Sequence, residues 1–231
     1  MKTIFGVFAK QPIPGRVKTR LAASIGADAA ASIYAAFLGD IIDRFADIAD
    51  HRVIAFSPAD PPAEEYFRGL AHGRYELWTQ SMGSLGERIS AYFVEHLQRA
   101  SSVVLIGSDS PSLPRDLVDR AFDALETHDC VIGPATDGGY YLIGLRRWTN
   151  GLFDEVDWGG SSVLTQTMQN LTTKDFSLQV LPPWYDVDTL DDLMCLSGHL
   201  TALHAAGQSS ETRNTERAIE QWMHDQSGDK S

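Results

Sequence analysis

The chain has 231 residues, 43% of them apolar and 22% charged; that leaves room for one buried core, or two small ones, and excludes a disordered polymer. Its 31 acids against 19 Lys and Arg give a formal charge of −12, which excludes nucleic-acid binding through a broad basic face. No apolar run is long enough to span a bilayer, Ile4–Ala9 meets Lys10 too soon for a signal segment, and Cys130 and Cys195 make neither a disulfide framework nor a zinc pattern, so a cytoplasmic protein with no membrane or nucleic-acid partner is expected.

Thr3–Ala9 (TIFGVFA) reads as a buried first strand, short and rich in β-branched and aromatic residues. Around it the charge is unevenly placed. Residues 1–27 contain five Lys and Arg and no acid, and four of those cations lie between Lys10 and Arg20 in a segment with Pro12, Pro14 and Gly15. A cationic loop after a strand, on an otherwise acidic chain, suits a small anionic ligand. A long helix is predicted over Ala29–Ile48, where Ile33, Phe37, Ile41 and Phe45 recur every four residues. Strands follow at Arg52–Phe56 and Tyr75–Thr79, a helix at Leu85–Gln98, and a strand at Ser102–Gly107 whose continuous apolar run fits a parallel sheet buried on both faces. Then come a helix at Leu117–Leu125, strands at Cys130–Pro134 and Tyr140–Leu145, a helix at Ser162–Leu171, a short strand at Leu178–Leu181 and a helix at Leu190–Ala206. Alternating strands and helices predict one doubly wound α/β domain over residues 1–206, and residues 207–231 read as a polar tail with at most a short helix near Ile219–Met223.

Five motifs carry candidate chemistry. Lys10, Arg16, Lys18 and Arg20 follow the first strand, where α/β sheets place ligands, and offer forks and point charges to a polyphosphate without Walker spacing. Asp109, in Gly107-Ser108-Asp109-Ser110-Pro111, is either a turn residue or a ligand for Mg²⁺ or Mn²⁺ at a strand end. In Asp186-Val187-Asp188-Thr189, Thr189 and Asp192 make a capping box, while Asp186 or Asp188 remains available for metal. Gln80, Gly83 and Gly86 surround a second capping box, Ser84 with Glu87, and suit the close approach of a nucleobase. Asp137-Gly138-Gly139 is a hairpin turn and also suits a sugar-like or acceptor group.

Together, in this order, K-x-P-x-P-G-x-x-K-T-R-L, Q-x-x-G-x-L-G-x-R, G-x-D-x-P-x-L, G-P-x-x-D-G-G-Y and D-V-D-T-x-x-D-L resemble one family. It is the bacterial and archaeal "transferase 1" (DUF2064) family of glycosyltransferase-like proteins, associated with arsenosugar biosynthesis and related to the phospholactate and, more distantly, the molybdenum-cofactor guanylyltransferases. The resemblance runs from about Thr3 to Leu200 and implies the nucleotide-diphospho-sugar transferase (GT-A) fold, a mixed, mostly parallel sheet flanked by helices. It further implies phosphate contacts from Lys18 and Arg20, supported by Arg16 and Lys10. Gln80, Gly83 and Gly86 would recognise the base, Asp109 and Asp188 would bind Mg²⁺ or Mn²⁺, and Asp137, Gly138 and Gly139 would line the acceptor side. In the family pattern an Asp precedes Leu85; here Ser84 keeps the cap and removes that carboxylate. The implied activity is nucleotidyl or glycosyl transfer, from a nucleoside triphosphate or a nucleotide sugar to a small acceptor, with Lys18 and Asp109 in catalytic roles. The Asp109-Ser110-Pro111 segment lacks the second Asp of an Asp-x-Asp metal pair, which favours the triphosphate. A non-catalytic nucleotide-binding regulator is the alternative, and the intact Asp109, Asp188 and cationic loop speak against it.

Overall fold

In the computed structural model, which describes residues 2–228, seven strands form one sheet. They are β1 (Thr3–Lys10), β2 (His51–Ser57), β3 (Glu76–Thr79), β4 (Ser102–Ile106), β5 (Cys130–Pro134), β6 (Tyr140–Leu145) and β7 (Leu178–Val180), arranged β3-β2-β1-β4-β6-β5-β7. Only β6 runs against its neighbours, pairing antiparallel with both β4 and β5, while the other pairs are parallel. The sheet is therefore mixed and mostly parallel, as expected. β4 is buried at every position, which accounts for its unbroken apolar run.

Alternation along the strands divides the core in two. Phe5 and Val7 of β1 and Val104 and Ile106 of β4 face one side. That side is covered by helices α1 (Thr19–Ile25), α2 (Ala27–Arg44), α3 (Pro61–Ala71), α5 (Arg115–Ala124), α7 (Leu190–Ala205) and α8 (Arg213–Gly228). Ile4, Val103 and Leu105 face the other side, where α4 (Leu85–His96) supplies Ile89, Tyr92 and Phe93 and α6 (Val163–Thr173) supplies Leu171. The α2 stripe of Ile33, Phe37, Leu38 and Ile41 is fully buried on the first side, so the period-four pattern in the sequence is a core pattern. Both predicted capping boxes are present, Ser84 with Glu87 on α4 and Thr189 with Asp192 on α7.

Three helices depart from the sequence reading. α1 and α3 fall in segments without a predicted element. α3 opens on Asp60, whose carboxylate accepts from the Ala63 amide at 2.9 Å, with Pro61 and Pro62 in the first turn; the proline pair starts a helix here instead of excluding one. α1 has no side-chain cap, so its short sequence carries no start signal. The third departure is the polar tail, which contains α8. This helix buries Ile219 to 2% exposure against α2, with Ala218 and Trp222 beside it. Its first amides, on Asn214 and Thr215, are capped by Asp40 of α2 at 3.0 and 2.7 Å. A cap supplied from 174 residues away leaves no local trace. Residues 229–231 of the expected tail lie outside the described residues.

Candidate active site

The carboxyl ends of β1 and β4 open onto a cleft of about 540 Å³. Four of the loops singled out from the sequence meet there. Lys10 lines it from the last position of β1, Arg16 and Lys18 from the loop that follows, Gln80 and Gly83 from the loop after β3, Asp109 from the loop after β4, and Asp188 from the segment before α7.

The floor of the cleft is a charge triad. Lys18 Nζ contacts Asp109 Oδ1 and lies 2.8 Å from Asp188 Oδ1. Carboxylates about eighty residues apart in the chain thus converge on one nitrogen, because the Val187 amide donates to the Asp109 carbonyl at 2.9 Å and stitches the two loops together. The Lys18 side chain is 3% exposed, whereas those of Asp109 and Asp188 are 47% and 37% exposed. Burial works against the charged ammonium; the charges of Asp109 and Asp188 overcome that and hold its pKa above the ordinary lysine value. Lys18 reaches this position through a left-handed backbone, φ 45°, at the residue that precedes α1. For a side chain with a Cβ that conformation costs roughly 1 kcal/mol, and here it turns the lysine inward.

The β4 end is held from several directions. Ser108 Oγ bonds Tyr34 Oη at 2.7 Å, and Tyr34 Oη in turn accepts from the Lys10 amide at 3.1 Å. Behind them, the buried Arg44 guanidinium donates to the carbonyls of Pro111 at 2.6 Å and Leu113 at 3.0 Å, and to those of Ser210 and Glu211 at 2.9 and 2.8 Å. Arg44 thereby joins α2, the loop carrying Asp109, and the segment leading into α8.

Gln80 is 7% exposed, and its amide nitrogen donates to the Ala55 carbonyl at 2.7 Å. That fixes the amide orientation and leaves Oε1 as the group a ligand could use. Gly83 has φ 118°, a conformation suited to glycine, and its carbonyl accepts from Arg88 Nε at 2.9 Å. Arg88 also lines the cleft.

Other residues singled out from the sequence stand apart from this cleft. Arg20, expected with Lys18 to contact phosphate, is exposed on α1 and is absent from the lining that includes Lys18. One turns inward at the left-handed residue and the other follows on the outer surface of the helix. Gly86 is buried beneath the loop after β6, where an added Cβ would sit 2.6 Å from Trp158 Nε1 and 2.9 Å from the Phe153 carbonyl; this glycine serves helix packing, not the cleft. Asp137, Gly138 and Gly139 form the β5–β6 turn. Asp137 Oδ1 accepts from the Gly139 amide at 2.8 Å, and Gly138, at φ 94°, abuts the Ser161 backbone. The turn is not part of the cleft lining, but the charge of Asp137 reaches Asp186, whose carboxyl is pushed up to about 6 by burial first and then by Asp137. Among the described residues no three His, Cys, Asp or Glu side chains are grouped to hold a metal by themselves.

Sequence reasoning gave no role to Tyr34, Ser108 or Arg88, all of which line the cleft together with Tyr140, the last residue of the G-P-x-x-D-G-G-Y motif. Tyr34 lies among the apolar residues of α2, and its hydroxyl, a polar group that needs a partner when buried, is the available signal. Arg88 was the last residue of the Q-x-x-G-x-L-G-x-R motif.

A family described as "Uncharacterized protein conserved in bacteria (DUF2064)" matches residues 43–160, just over half of the chain, including Gln80 and Asp109 but neither Lys18 nor Asp188. A crystal structure from Desulfovibrio desulfuricans, described as a candidate nucleotide-diphospho-sugar transferase, is 33% identical, covers 96% of this chain and 99% of its own, and superimposes with a TM-score of 0.85. At fold level, CMP-2-keto-3-deoxy-manno-octonic acid synthetase with bound CTP has a TM-score of 0.57 at 10% identity, covering 87% of this chain and 99% of its own. A cytidylyltransferase from Leptospira borgpetersenii has a TM-score of 0.56 at 14% identity, covering 96% and 94%. No curated protein matches the sequence. The fold is that of the nucleotide-diphospho-sugar transferases.

Proposed function

Since this chain belongs to the bacterial DUF2064 family, and its fold is that of nucleotide-binding transferases, we propose that it is a divalent-metal-dependent, cytoplasmic transferase that takes a nucleotidyl group from a nucleoside triphosphate to a small acceptor. The observation that carries this reading is the convergence of Asp109 and Asp188 on Lys18 at the floor of a cleft rimmed by Lys10 and Arg16. Anionic phosphates and a hard cation both find suitable partners there, and the carboxylates are the exposed members of the triad.

The donor set fits Mg²⁺ or Mn²⁺. Two carboxylates on either side of one point, completed by phosphate oxygens and water, match the way Mg²⁺ is usually held in phosphoryl-transfer sites. Asp109 and Asp188 would hold the ion, which would supply positive charge to offset the charge that develops on the phosphates. The protein's own groups do the rest. Arg16 and Lys10 neutralise the polyphosphate at the rim and hold it in line for attack. Lys18 stabilises charge on the transferred phosphate. Gln80 presents Oε1, an acceptor suited to an amino or imino donor on the base edge. Asp137, with Gly138 and Gly139, belongs to the acceptor side next to Asp186. A second reading, glycosyl transfer from a nucleotide sugar, draws on the description of the 33% identical relative; the single carboxylate at the end of β4 favours the triphosphate.

Thermal shift with ATP, CTP, GTP and UTP, and with UDP-glucose and GDP-mannose, each with and without Mg²⁺, tests the proposal. A ligand at a hundred times its Kd stabilises the native state by about 2.7 kcal/mol, a readily measured shift. At least one triphosphate should raise Tm only with Mg²⁺, and should release pyrophosphate on turnover. Stabilisation by nucleotide sugars alone selects glycosyl transfer, and no shift with any of the six removes the proposal.

A further inference from the structure

Lys18 differs from the other cations of its loop. Arg16, Lys10 and Arg20 are exposed, whereas the Lys18 side chain is 3% exposed and its ammonium lies between Asp109 Oδ1 and Asp188 Oδ1. On its inner side the rings of Tyr34 and Phe37 stand 5.8 and 5.9 Å from Nζ, so the ammonium is enclosed by two carboxylates and two aromatic faces. The left-handed backbone at this residue sends the side chain there. The point between the carboxylates, where a shared divalent ion would be bound, is thus already held by a cation of the protein.

We propose that Lys18 is an internal counter-ion that fills the metal seat between Asp109 and Asp188 in the nucleotide-free protein, so that a divalent ion enters only together with nucleotide phosphates. The inference rests on the metal-and-nucleotide reading above. Its argument is electrostatic. The two carboxylates carry two negative charges, and the ammonium balances one of them at contact distance. A dication approaching alone meets a net single negative charge and the repulsion of Nζ, and Mg²⁺ gives up its water reluctantly. Polyphosphate changes both conditions. Its oxygens add negative charge and ligands for the ion, and they offer the ammonium new partners once it leaves the carboxylates. The backbone that carries Asp109 is anchored while this happens. The Asp109 carbonyl accepts from the Val187 amide, and the following residues are tied to Arg44. Lysine, with its long flexible side chain, is the member that moves. The exposed sides of Asp109 and Asp188 face the cleft, so the exchange does not require the core to open.

Mn²⁺ binding to the full chain without nucleotide, followed by electron paramagnetic resonance, tests this. Lys18→Met and Lys18→Gln should each bind Mn²⁺ at least tenfold more tightly than the wild type, and adding Asp109→Asn to either should abolish the gain. Equal affinity in wild type and Lys18 variants, lost with Asp109→Asn in each, overturns the inference while leaving the metal seat in place. A gain that survives Asp109→Asn overturns it as well. If no form binds Mn²⁺ through Asp109, alone or with ATP, CTP, GTP or UTP, the metal-and-nucleotide reading falls and the inference with it. The wild type gives an independent readout that needs no folded variant. The Lys18 NH₃⁺ signal in NMR should stay sharp with Mn²⁺ alone, and broadening by Mn²⁺ alone overturns the inference.

Discussion

Replacing Arg44 by Met should destabilise the protein and loosen the active-site loop together. The guanidinium is 8% exposed as a residue and donates to four backbone carbonyls, two at Pro111 and Leu113 and two at Ser210 and Glu211. Hydrogen bonds from a charged donor contribute about 1.5–3 kcal/mol each, but their sum is offset by the desolvation of the guanidinium itself. Met fills a similar volume and offers no donor, so carbonyls that lose their partner are left in a partly buried environment. Carbonyls left unpaired cost about 1–3 kcal/mol each, and with relief of the guanidinium's desolvation set against them the net loss is about 3–5 kcal/mol. In a chain of this size that lowers Tm by on the order of 10 °C. Urea unfolding should show the loss as a lower midpoint with the slope unchanged, since the same surface is exposed on unfolding. Hydrogen exchange should show faster opening of α8 and of residues 110–113, the two segments Arg44 joins. A loss below about 1 kcal/mol, or a loss with α8 protected as before, would refute the view that Arg44 ties the C-terminal helix to the loop carrying Asp109.

Other outcomes follow from particular placements. Arg16→Ala should weaken triphosphate binding about tenfold or more in isothermal titration, whereas Arg20→Ala should change it less than about twofold, because only Arg16 lines the cleft; equal losses would sink the assignment. Gly86→Ala should cost about 1–3 kcal/mol, since its Cβ would meet Trp158 and the Phe153 carbonyl, with a full-length denaturation curve as the check. Asp129 accepts from Ser177 and pairs with Arg146 and Arg147. Burial works against its charge, but these partners outweigh it and hold the carboxyl well below the usual carboxylate range. A depressed carboxyl contributes stability that is present above its unfolded pKa near 4 and is lost as pH falls toward the folded value. Asp129→Asn should therefore cost about 2 kcal/mol at pH 7, and the gap to wild type should narrow as unfolding is measured from pH 5 down to pH 2. A gap independent of pH would contradict it.

How far the sequence could be read depends on where each signal is stored. Strands β1, β4, β5 and β6 are apolar runs buried on both faces, and such runs are legible because every position obeys one rule. α2, α4 and α7 announce themselves by a stripe, a capping box or both. α3 carries its own start signal, Asp60 followed by two prolines, but three prolines within Pro58–Pro62 have the composition of a loop. α8 was legible only in part, as the short helix near Ile219–Met223, because Asp40 and Arg44 of α2 supply much of its cap and its anchor. Interactions between residues that distant have no pattern in a window of ten or twenty residues.

The site shows the same division with a sharper consequence. Composition located the cation-rich loop, and the motif order placed Asp109 and Asp188 near it. Neither could say which cation would turn inward. That choice depends on one left-handed backbone residue, Lys18, and a non-glycine residue gives no warning of such a conformation. Once Lys18 folds inward, its charge is absorbed by two carboxylates, and Arg20 is carried away on α1. The anion-attracting field at the cleft then comes from Lys10, Arg16 and Arg88. On a chain with a formal charge of −12, three such cations attract polyphosphate only at short range, because salt screens such a field within about 10 Å. A small, highly charged ligand fits that range and an extended polyanion does not. The same geometry that withdraws Lys18 from solvent therefore narrows the ligand class that the cationic loop can recruit.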